Sequence, residues 1–217
     1  ISSVEDPVEL HLDGITQVAL NRRAGLDFPD VLRALLRQDP DVIMVGEIRD
    51  PETATIAVRA AQTGHLVLST LHTNGACDAI TRLINLGVAR HNLASCLSLV
   101  MAQRLLRRLC PACSRPQPRQ PGILARAGLD ESRAGLDQLR AAAGCNRCAG
   151  GYSGRIGVHE VLALSPRLRT LISDGMSEEA LLDQARQASL LDLHAAGLRK
   201  ALRGETSIDE VIRVTGL

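Results

Sequence analysis

Four of the six cysteines form two Cys-x-x-Cys pairs, Cys110 with Cys113 and Cys145 with Cys148. Two thiolates at this spacing can bind one tetrahedral ion, and two such pairs complete a closed shell of four sulfurs. A closed shell indicates a structural metal, because no position remains for water or substrate. Four ordinary buried cysteines are one alternative. Redox-active pairs are another, disfavoured because neither pair starts a helix after a strand.

Polar residues follow several short apolar stretches that have the pattern of β-strands. Glu5, Glu47 and His72 each come directly after such a stretch, or one residue later. In an open parallel sheet, ligands bind at the carboxyl ends of the strands, where these side chains would converge. One carboxylate could hold Mg²⁺ through water, another could polarise an attacking water, and the histidine could contact a terminal phosphate. A single carboxylate or histidine after an apolar strand is more often a solvated loop residue than part of a site.

The elements that must position these residues alternate along the first half of the chain. Short apolar strands separated by helices indicate a parallel α/β sheet. Strands are expected at 1–4, 15–20, 42–45 and 65–72, the last two as buried strands. Helices are expected to begin at Asp27 and at Asp50, and to cover 76–86 and 93–109. A strand is expected soon after residue 150, followed by helices with N-caps at Ser177 and Ser207.

Composition excludes several functional classes. Hydrophobic residues make up 45% and charged residues 23% of 217 residues, which suits a globular domain with a sizeable core. The net charge of +1 gives no indication of nucleic-acid binding. No apolar run reaches the roughly 18 residues of a membrane span. We therefore expect no nucleic-acid partner and no membrane span.

Three long motifs in fixed order resemble those of a known family. They are VEDPVE at 4–9, RQDPDVIMVGEIRDPETA at 37–54 and TGHLVLSTLHTN at 63–74. They resemble the Asp box, Walker B segment and His box of the bacterial secretion and pilus assembly ATPases, the GspE/PilB family. The resemblance continues through AQRL at 102–105, LCPAC at 109–113 and GRIGVHEVL at 154–162. Within the family it favours the type II secretion branch, with the type IV pilus assembly branch as the alternative.

The resemblance assigns roles to the polar residues at the strand ends. It implies that Glu5 is the general base, that Glu47 reaches the Mg²⁺ shell, and that His72 contacts the γ-phosphate. The implied ligands are ATP, Mg²⁺ and zinc, with zinc on the four cysteines. The implied partners are further copies of the same chain in a homohexamer and inner-membrane secretion platform proteins. The implied location is the cytoplasm, peripheral to the inner membrane.

The chain departs from the family pattern at one turn. After the second cysteine pair the family has a threonine before Gly-Tyr, whereas this chain has AGGY at 149–152. The turn is one residue shorter than usual, although all four cysteines are present. We therefore expect intact metal ligands and an altered turn.

The family's phosphate-binding loop is the other departure. That loop, GxxxxGK[ST], holds the phosphates with backbone amides and a lysine. Lys200 is the only lysine here and lies in a predicted helix. We therefore expect the chain to be the C-terminal part of a longer ATPase and to be inactive alone.

The predicted fold class is α/β: a partial RecA-like P-loop NTPase core with a zinc-binding insertion and a C-terminal helical subdomain. The expected domains are 1–109, 110–151 and 152–217. The predicted function is ATP hydrolysis that powers assembly of the type II secretion pseudopilus. A non-catalytic, zinc-stabilised interaction module is the rival from a different class.

Overall fold

The computed structural model describes residues 1–117, 121–130, 132, 135–188 and 190–216. Its strands, in chain order, are β1 (Ser2–Glu5), β2 (Thr16–Ala19), β3 (Val42–Val45), β4 (Leu66–Ser69), β5 (Leu99–Leu109), β6 (Arg115–Pro116), β7 (Arg140–Ala141) and β8 (Tyr152–Ala163). Its α-helices are α1 (Phe28–Leu35), α2 (Pro51–Gln62), α3 (Ala76–Asn85), α4 (Arg90–Cys96), α5 (Pro121–Arg126), α6 (Pro166–Asp174), α7 (Glu178–Gln187), α8 (Leu193–Ala201) and α9 (Ile208–Thr215). No helix among the described residues combines the length and apolarity that a membrane span requires.

The chain forms two compact units that interleave along the sequence. The first contains Ile1–Val100 and Leu162–Ala188, and the second contains Met101–Val161 and Ser189–Leu217. Compactness alone does not show which segments fold independently. The domain limits expected at residues 109 and 151 therefore stay a prediction.

A four-stranded parallel sheet forms the centre of the first unit. The strand order is β2-β1-β3-β4, and each neighbouring pair is parallel. Val4, Ile43 and Val45 are fully buried in this sheet, where α1 and α2 add apolar side chains such as Leu32 and Ala54. The other two residues of β3, Val42 and Met44, are only partly buried. The parallel order confirms the predicted α/β sheet.

Local capping explains why α1 and α2 begin where the sequence predicts. The Asp27 carboxylate accepts the backbone N–H of Asp30 at 3.1 Å, and a proline stands in the first turn. The Asp50 carboxylate accepts the N–H and the hydroxyl of Thr53 at 2.8 and 2.7 Å. These bonds satisfy N–H groups that have no partner within the helix.

The prediction that β4 is buried is wrong. Its residues Leu66 and Leu68 are 56% and 50% exposed. Among the described residues β4 pairs on one side only, with β3, so it lies at an edge of the sheet. Apolar composition predicted the strand correctly, but burial depends on the neighbours, which composition does not specify.

The prediction of a helix over 93–109 is also wrong beyond its first turn. The helix α4 ends at Cys96, and β5 then runs from Leu99 to Leu109. The run is rich in Leu, Arg, Met and Gln, which favour helix in isolation. Pairing with β8 outweighs this preference, and the buried residues Ala102 and Leu106 lie on one face of the strand.

One hydrophobic core holds the second unit together. It joins β5 and β8 to α8 and α9, and it also contains residues between the two cysteine pairs, such as Leu124 and Leu136. A side-chain carbon on Gly197 would lie 2.7 Å from Val211, so glycine permits the close packing of α8 on α9. The insertion and the tail thus share one core.

A buried carboxylate connects α9 to β5 in this unit. Glu210 is fully buried and accepts hydrogen bonds from Arg107 at 2.7–2.9 Å and from Arg213 at 2.6–2.8 Å. Arg107 lies over the ring of Tyr152, 4.0 Å from its centroid, and the Tyr152 hydroxyl contacts the α9 N-cap Ser207 at 2.7 Å. Burial would raise the pKa of Glu210, but the bonds from Arg213 and Arg107 bring it down to about 2.

Replacing Glu210 with Gln is expected to lower the free energy of unfolding by about 3 kcal/mol, because the two guanidinium groups lose their shared charge partner. The carboxylate contributes stability above its ordinary pKa of 4.5 and loses this contribution as the pH falls toward about 2. The variant should therefore lack this part of the acid dependence. Urea unfolding at pH 7 and pH 3 measures both effects.

The matched control is Glu205→Gln, in a partly exposed pair with Lys200 at 3.2 Å. Such pairs contribute about 0–1 kcal/mol. Equal losses in the two variants would contradict the role given to Glu210.

Candidate active site and candidate metal centre

The strand register places Glu5 and Glu47 at the same edge of the parallel sheet. Val4 lies opposite Val45, so β1 and β3 end side by side, and Glu47 follows two residues after Val45. The Gly46 N–H donates to the carbonyl of Val4 at 2.8 Å. A side-chain carbon on Gly46 would lie 3.2 Å from that carbonyl oxygen. Glycine thus permits the close approach of the two strand ends.

Glu47 and His72 are in direct contact. The Nε2 atom of His72 lies 3.0 Å from Oε2 of Glu47, and Arg49 donates to the same oxygen. The Glu47 side chain is 13% exposed, whereas His72 is 81% exposed. The hydrogen bond from Arg49, followed by that from His72, lowers the pKa of Glu47 against the opposing effect of burial. Glu47 is therefore an ionised carboxylate near the surface, with Arg49 and His72 as its basic partners.

Thr70 holds the chain before His72 against the end of β3. Its hydroxyl donates to the carbonyl of Gly46 at 2.7 Å, and its own carbonyl accepts the N–H of Ile48 at 3.0 Å. These two bonds extend the β3–β4 pairing beyond the strands. They explain why a histidine 25 residues from Glu47 reaches its carboxylate.

Glu5 has different partners from Glu47. Its Oε1 atom accepts the hydroxyl of Ser3 at 2.6 Å and the side-chain amide of Gln17 at 3.0 Å. These bonds, the one from Ser3 first, lower the pKa of Glu5. The structure therefore places Glu5 at the same sheet edge but ties its carboxylate to β1 and β2.

Sequence reasoning did not identify Ser3 or Gln17 as partners of Glu5. Ser3 could have been found, because residues two apart in a strand share a face. Gln17 could not, because its place opposite Ser3 depends on the register of β1 with β2.

His65 is a residue of the His-box motif, but it lies before β4 rather than after it. Its Nδ1 atom contacts the carbonyl of Ala60 at 3.0 Å, within the α2–β4 turn.

The four paired cysteines form one cluster. The sulfurs of Cys110, Cys113, Cys145 and Cys148 all lie within 4.8 Å of one another. Cys148 is 3.7 Å from both Cys113 and Cys145, measured between sulfurs. Tetrahedral zinc with bonds of about 2.3 Å requires sulfur separations of about 3.8 Å. The donor set and its spacing fit a structural zinc ion.

Backbone N–H groups at this cluster donate hydrogen bonds to sulfur, which stabilises the thiolate form that binds a metal. The N–H of Cys145 donates to the sulfur of Cys148 at 3.3 Å, and the N–H of Arg147 donates to Cys145 at 3.4 Å. Burial opposes ionisation of Cys148, yet backbone N–H groups and neighbouring thiols hold its pKa at about 7. Burial raises the pKa of Cys113 to about 12. A bound cation would stabilise all four thiolates together.

The turn after the second cysteine pair, which the sequence predicts to be altered, closes tightly. Ala149 and Tyr152 exchange two backbone hydrogen bonds of 3.1 Å, with Gly150 and Gly151 between them. Both glycines have positive φ, 58° and 89°, which two-residue hairpin turns of this kind require. A side-chain carbon on Gly151 would lie 2.6 Å from Ala142. This turn is thus a tight Gly-Gly hairpin that begins β8.

Comparison with known proteins places this chain in a family. A family model described as "Type II/IV secretion system protein" matches residues 1–213. The chain is 50% identical over 215 residues to the type IV pilus assembly ATPase PilB of Pseudomonas aeruginosa, covering 99% of this chain and 38% of PilB. It is 48% identical to the type II secretion system protein E of the same organism, covering 99% of this chain and 42% of that protein. The chain thus spans about two fifths of the length of these relatives.

A solved structure shows the same fold. The pilus retraction motor PilT, determined with bound ADP, superposes with a TM-score of 0.70 at 27% identity. The match covers 98% of this chain and 51% of PilT. It confirms the predicted α/β class with a partial RecA-like core. The chain therefore belongs to the type II/IV secretion system protein family, the GspE/PilB ATPases of secretion and pilus assembly.

Proposed function

We propose that the protein containing this chain hydrolyses ATP to power assembly of a pilin-like filament. The observation that carries the proposal is the Glu47–His72 contact beside Glu5, at the edge of a parallel sheet where such folds bind phosphates. Family membership supports the same reaction. The type II secretion pseudopilus is the filament predicted from the sequence, and the type IV pilus is the alternative. Deletion of the gene, assayed for both secretion and piliation, separates the two.

Glu47 would hold Mg²⁺, and Glu5 would act on water. Arg49 and His72 both donate to Oε2 of Glu47. Oε1 accepts no hydrogen bond from any residue that the structure describes. That oxygen can accept a hydrogen bond from a Mg²⁺-bound water. Bound Mg²⁺ neutralises charge on the phosphates during transfer. Arg49 and His72 are the basic groups that can turn from Glu47 toward the phosphates.

Glu5 needs a change of partner to act as general base. Its hydrogen bonds with Ser3 and Gln17 lower its pKa, which makes the carboxylate a weaker base than catalysis favours. Exchange of one of these bonds for the attacking water would restore basicity at the moment of reaction. We propose that Ser3 and Gln17 keep Glu5 ionised and oriented until nucleotide arrives.

The wider assembly is proposed from the family. The full protein would act as a homohexamer in the cytoplasm, held at the inner membrane by secretion platform proteins. The zinc centre would be structural, with Cys110, Cys113, Cys145 and Cys148 as ligands. We propose no role in nucleic-acid binding.

Glu5→Gln and Glu47→Gln in the full-length protein are each expected to reduce kcat about 10²–10⁴-fold. Nucleotide affinity should change much less, because backbone amides and a lysine of the phosphate-binding loop supply most of the phosphate contacts in such ATPases. Steady-state ATPase assays and nucleotide titrations measure the two quantities. Glu179→Gln, an exposed change on α7, is the matched control and should keep wild-type kcat. Wild-type turnover in Glu5→Gln would remove Glu5 from the base role.

Zinc removal is expected to loosen the whole second unit. The Cys110 N–H donates to the carbonyl of Gly151 at 2.9 Å, and Tyr152 contacts the α9 N-cap Ser207. Chelation or Cys145→Ser should therefore speed hydrogen exchange in 110–152 and also in α9, while the parallel sheet stays protected. Cys96→Ser is the control that should retain metal. Protein purified under reducing conditions without one zinc per chain would contradict the proposed centre.

Residues 1–217 alone are expected to bind no ATP. They contain no phosphate-binding loop of the GxxxxGK[ST] type, and Glu5, Asp6 and Glu47 would repel an anion. Isothermal titration calorimetry measures this directly. Micromolar, Mg²⁺-dependent binding would mean that another part of these residues holds the phosphates.

A further inference from the structure

Gln17 on β2 makes three side-chain hydrogen bonds that connect two parts of the first unit. Its Nε2 atom donates to Oε1 of Glu5 and to the backbone carbonyl of Leu10, both at 3.0 Å. Its Oε1 atom accepts the backbone N–H of Leu12 at 2.8 Å. Both N–H groups and the oxygen of the amide therefore have partners. One partner is the proposed general base, and the other two lie in the β1–β2 loop (residues 6–15).

The β1–β2 loop lies on the surface and has little internal structure. Among the described residues, one backbone–backbone hydrogen bond joins two members of this loop, from the N–H of Ile15 to the carbonyl of Leu12 at 3.4 Å. The side chains of Leu10 and Leu12 are 66% and 47% exposed. A loop with few bonds of its own and no share in the core can move without unfolding the sheet. The Gln17 amide thus supplies two of the polar contacts that hold it in place.

Other groups of the same loop also act on Glu5. The bonds from Ser3 and then Gln17 lower the pKa of Glu5 most, and burial opposes them. The backbone N–H of Glu9 and the charge of His11 lower this pKa further, by smaller amounts. Both of these residues belong to the β1–β2 loop. The position of the loop therefore affects the environment of the Glu5 carboxylate.

Ser3 and Gln17 differ in how they are connected to this loop. Ser3 lies on the same strand as Glu5, is 1% exposed and donates its hydroxyl at 2.6 Å. Its bond to Glu5 does not involve the loop. The Gln17 side chain is only partly buried and is bonded to the loop backbone at two atoms. Movement of the loop would therefore draw Gln17 from Glu5, by rotation of its side chain, while Ser3 stays.

We propose that Gln17 is a positioning residue that restrains Glu5 in a resting orientation, and that movement of the β1–β2 loop releases this restraint. A carboxylate that accepts fewer hydrogen bonds is a stronger base, so release favours proton removal from water. Gln17 acts only through Glu5. The inference therefore rests on the proposed role of Glu5 as general base. A purely structural role, in which Gln17 only holds the loop, is the alternative.

The test measures ATP hydrolysis by the full-length protein in a single turnover, so that product release does not limit the rate. Gln17→Met keeps about the same side-chain length and removes the hydrogen-bonding groups. The rate should rise about 3- to 10-fold, because a bond to a charged group no longer has to break before the base acts. Loss of a purely structural contact would leave the rate unchanged or lower it.

A change in the loop itself tests the connection. Leu10→Gly with Leu12→Gly loosens the β1–β2 loop and leaves Gln17 in place. This variant should give a similar rise in rate. Combined with Gln17→Met it should add less than about twofold, because both changes remove the same restraint.

Gln62 on α2 offers a matched control. Its Nε2 atom donates to Asn92 at 3.0 Å and to Ser95 at 3.3 Å, so it also makes two side-chain hydrogen bonds. It lies at the end of α2, on an element that supplies none of the proposed catalytic residues. Gln62→Met should keep the wild-type single-turnover rate.

The Glu5→Gln background separates this inference from the proposed function. A wild-type rate in Glu5→Gln alone would contradict the base role of Glu5, and the inference with it. If Glu5→Gln is slow, Gln17→Met should leave its residual rate unchanged, since no carboxylate remains to be released. A slow Glu5→Gln enzyme together with a Gln17→Met rate at or below wild type would overturn the inference alone. If Gln17→Met alters the circular dichroism spectrum, the loop variant is judged by the same criterion.

Discussion

The close approach of β1 and β3 at Gly46 is the constraint on which the strand-end site depends. The Gly46 N–H bonds to the carbonyl of Val4, and no side chain separates the two strand ends. Because the strands are parallel and in this register, both place a carboxylate at one edge of the sheet. Thr70 then brings the segment that carries His72 against the same glycine. A larger residue at 46 would push apart the groups that the proposed chemistry needs together.

The second unit depends on a different kind of interaction, a charge buried with its partners. Glu210 is held by two arginines from different elements, and their hydrogen bonds outweigh the effect of burial and lower its pKa to about 2. The same network reaches Tyr152, which begins the strand next to the Gly-Gly turn of the cysteine cluster. The cysteine cluster and α9 thus belong to one packed unit. Unfolding of either one should therefore destabilise the other.

Local signals in the sequence predicted the features that depend on neighbours in the chain. The caps Asp27 and Asp50, the strands predicted at 1–4 and 42–45, and the cysteine pairs all follow from residues a few positions apart, although β1 itself runs one residue further, to Glu5. The contact between Glu47 and His72 was expected only as convergence at a sheet edge. Their hydrogen bond required the register that places Thr70 beside Gly46.

Features that depend on distant partners could not be predicted in the same way. The segment 99–109 has helix-forming residues but becomes β5, because β8 supplies a partner about fifty residues later. β4 has the composition of a central strand but lies at an edge. The bond from Gln17 to Glu5 exists only through pairing of β1 with β2. In each case the outcome depends on pairing between strands that are distant in sequence, which the local sequence pattern does not specify.

A crystal structure of the full-length protein with Mg²⁺ and a non-hydrolysable ATP analogue would test the proposed strand-end site most directly. We expect the phosphates at the carboxyl edge of the parallel sheet, with Oε1 of Glu47 toward the Mg²⁺ waters. We also expect that His72 leaves Glu47 for the γ-phosphate, and that Glu5 turns from Gln17 toward the position of the attacking water. Phosphates bound elsewhere, with Glu5 and His72 still in the contacts described above, would contradict it.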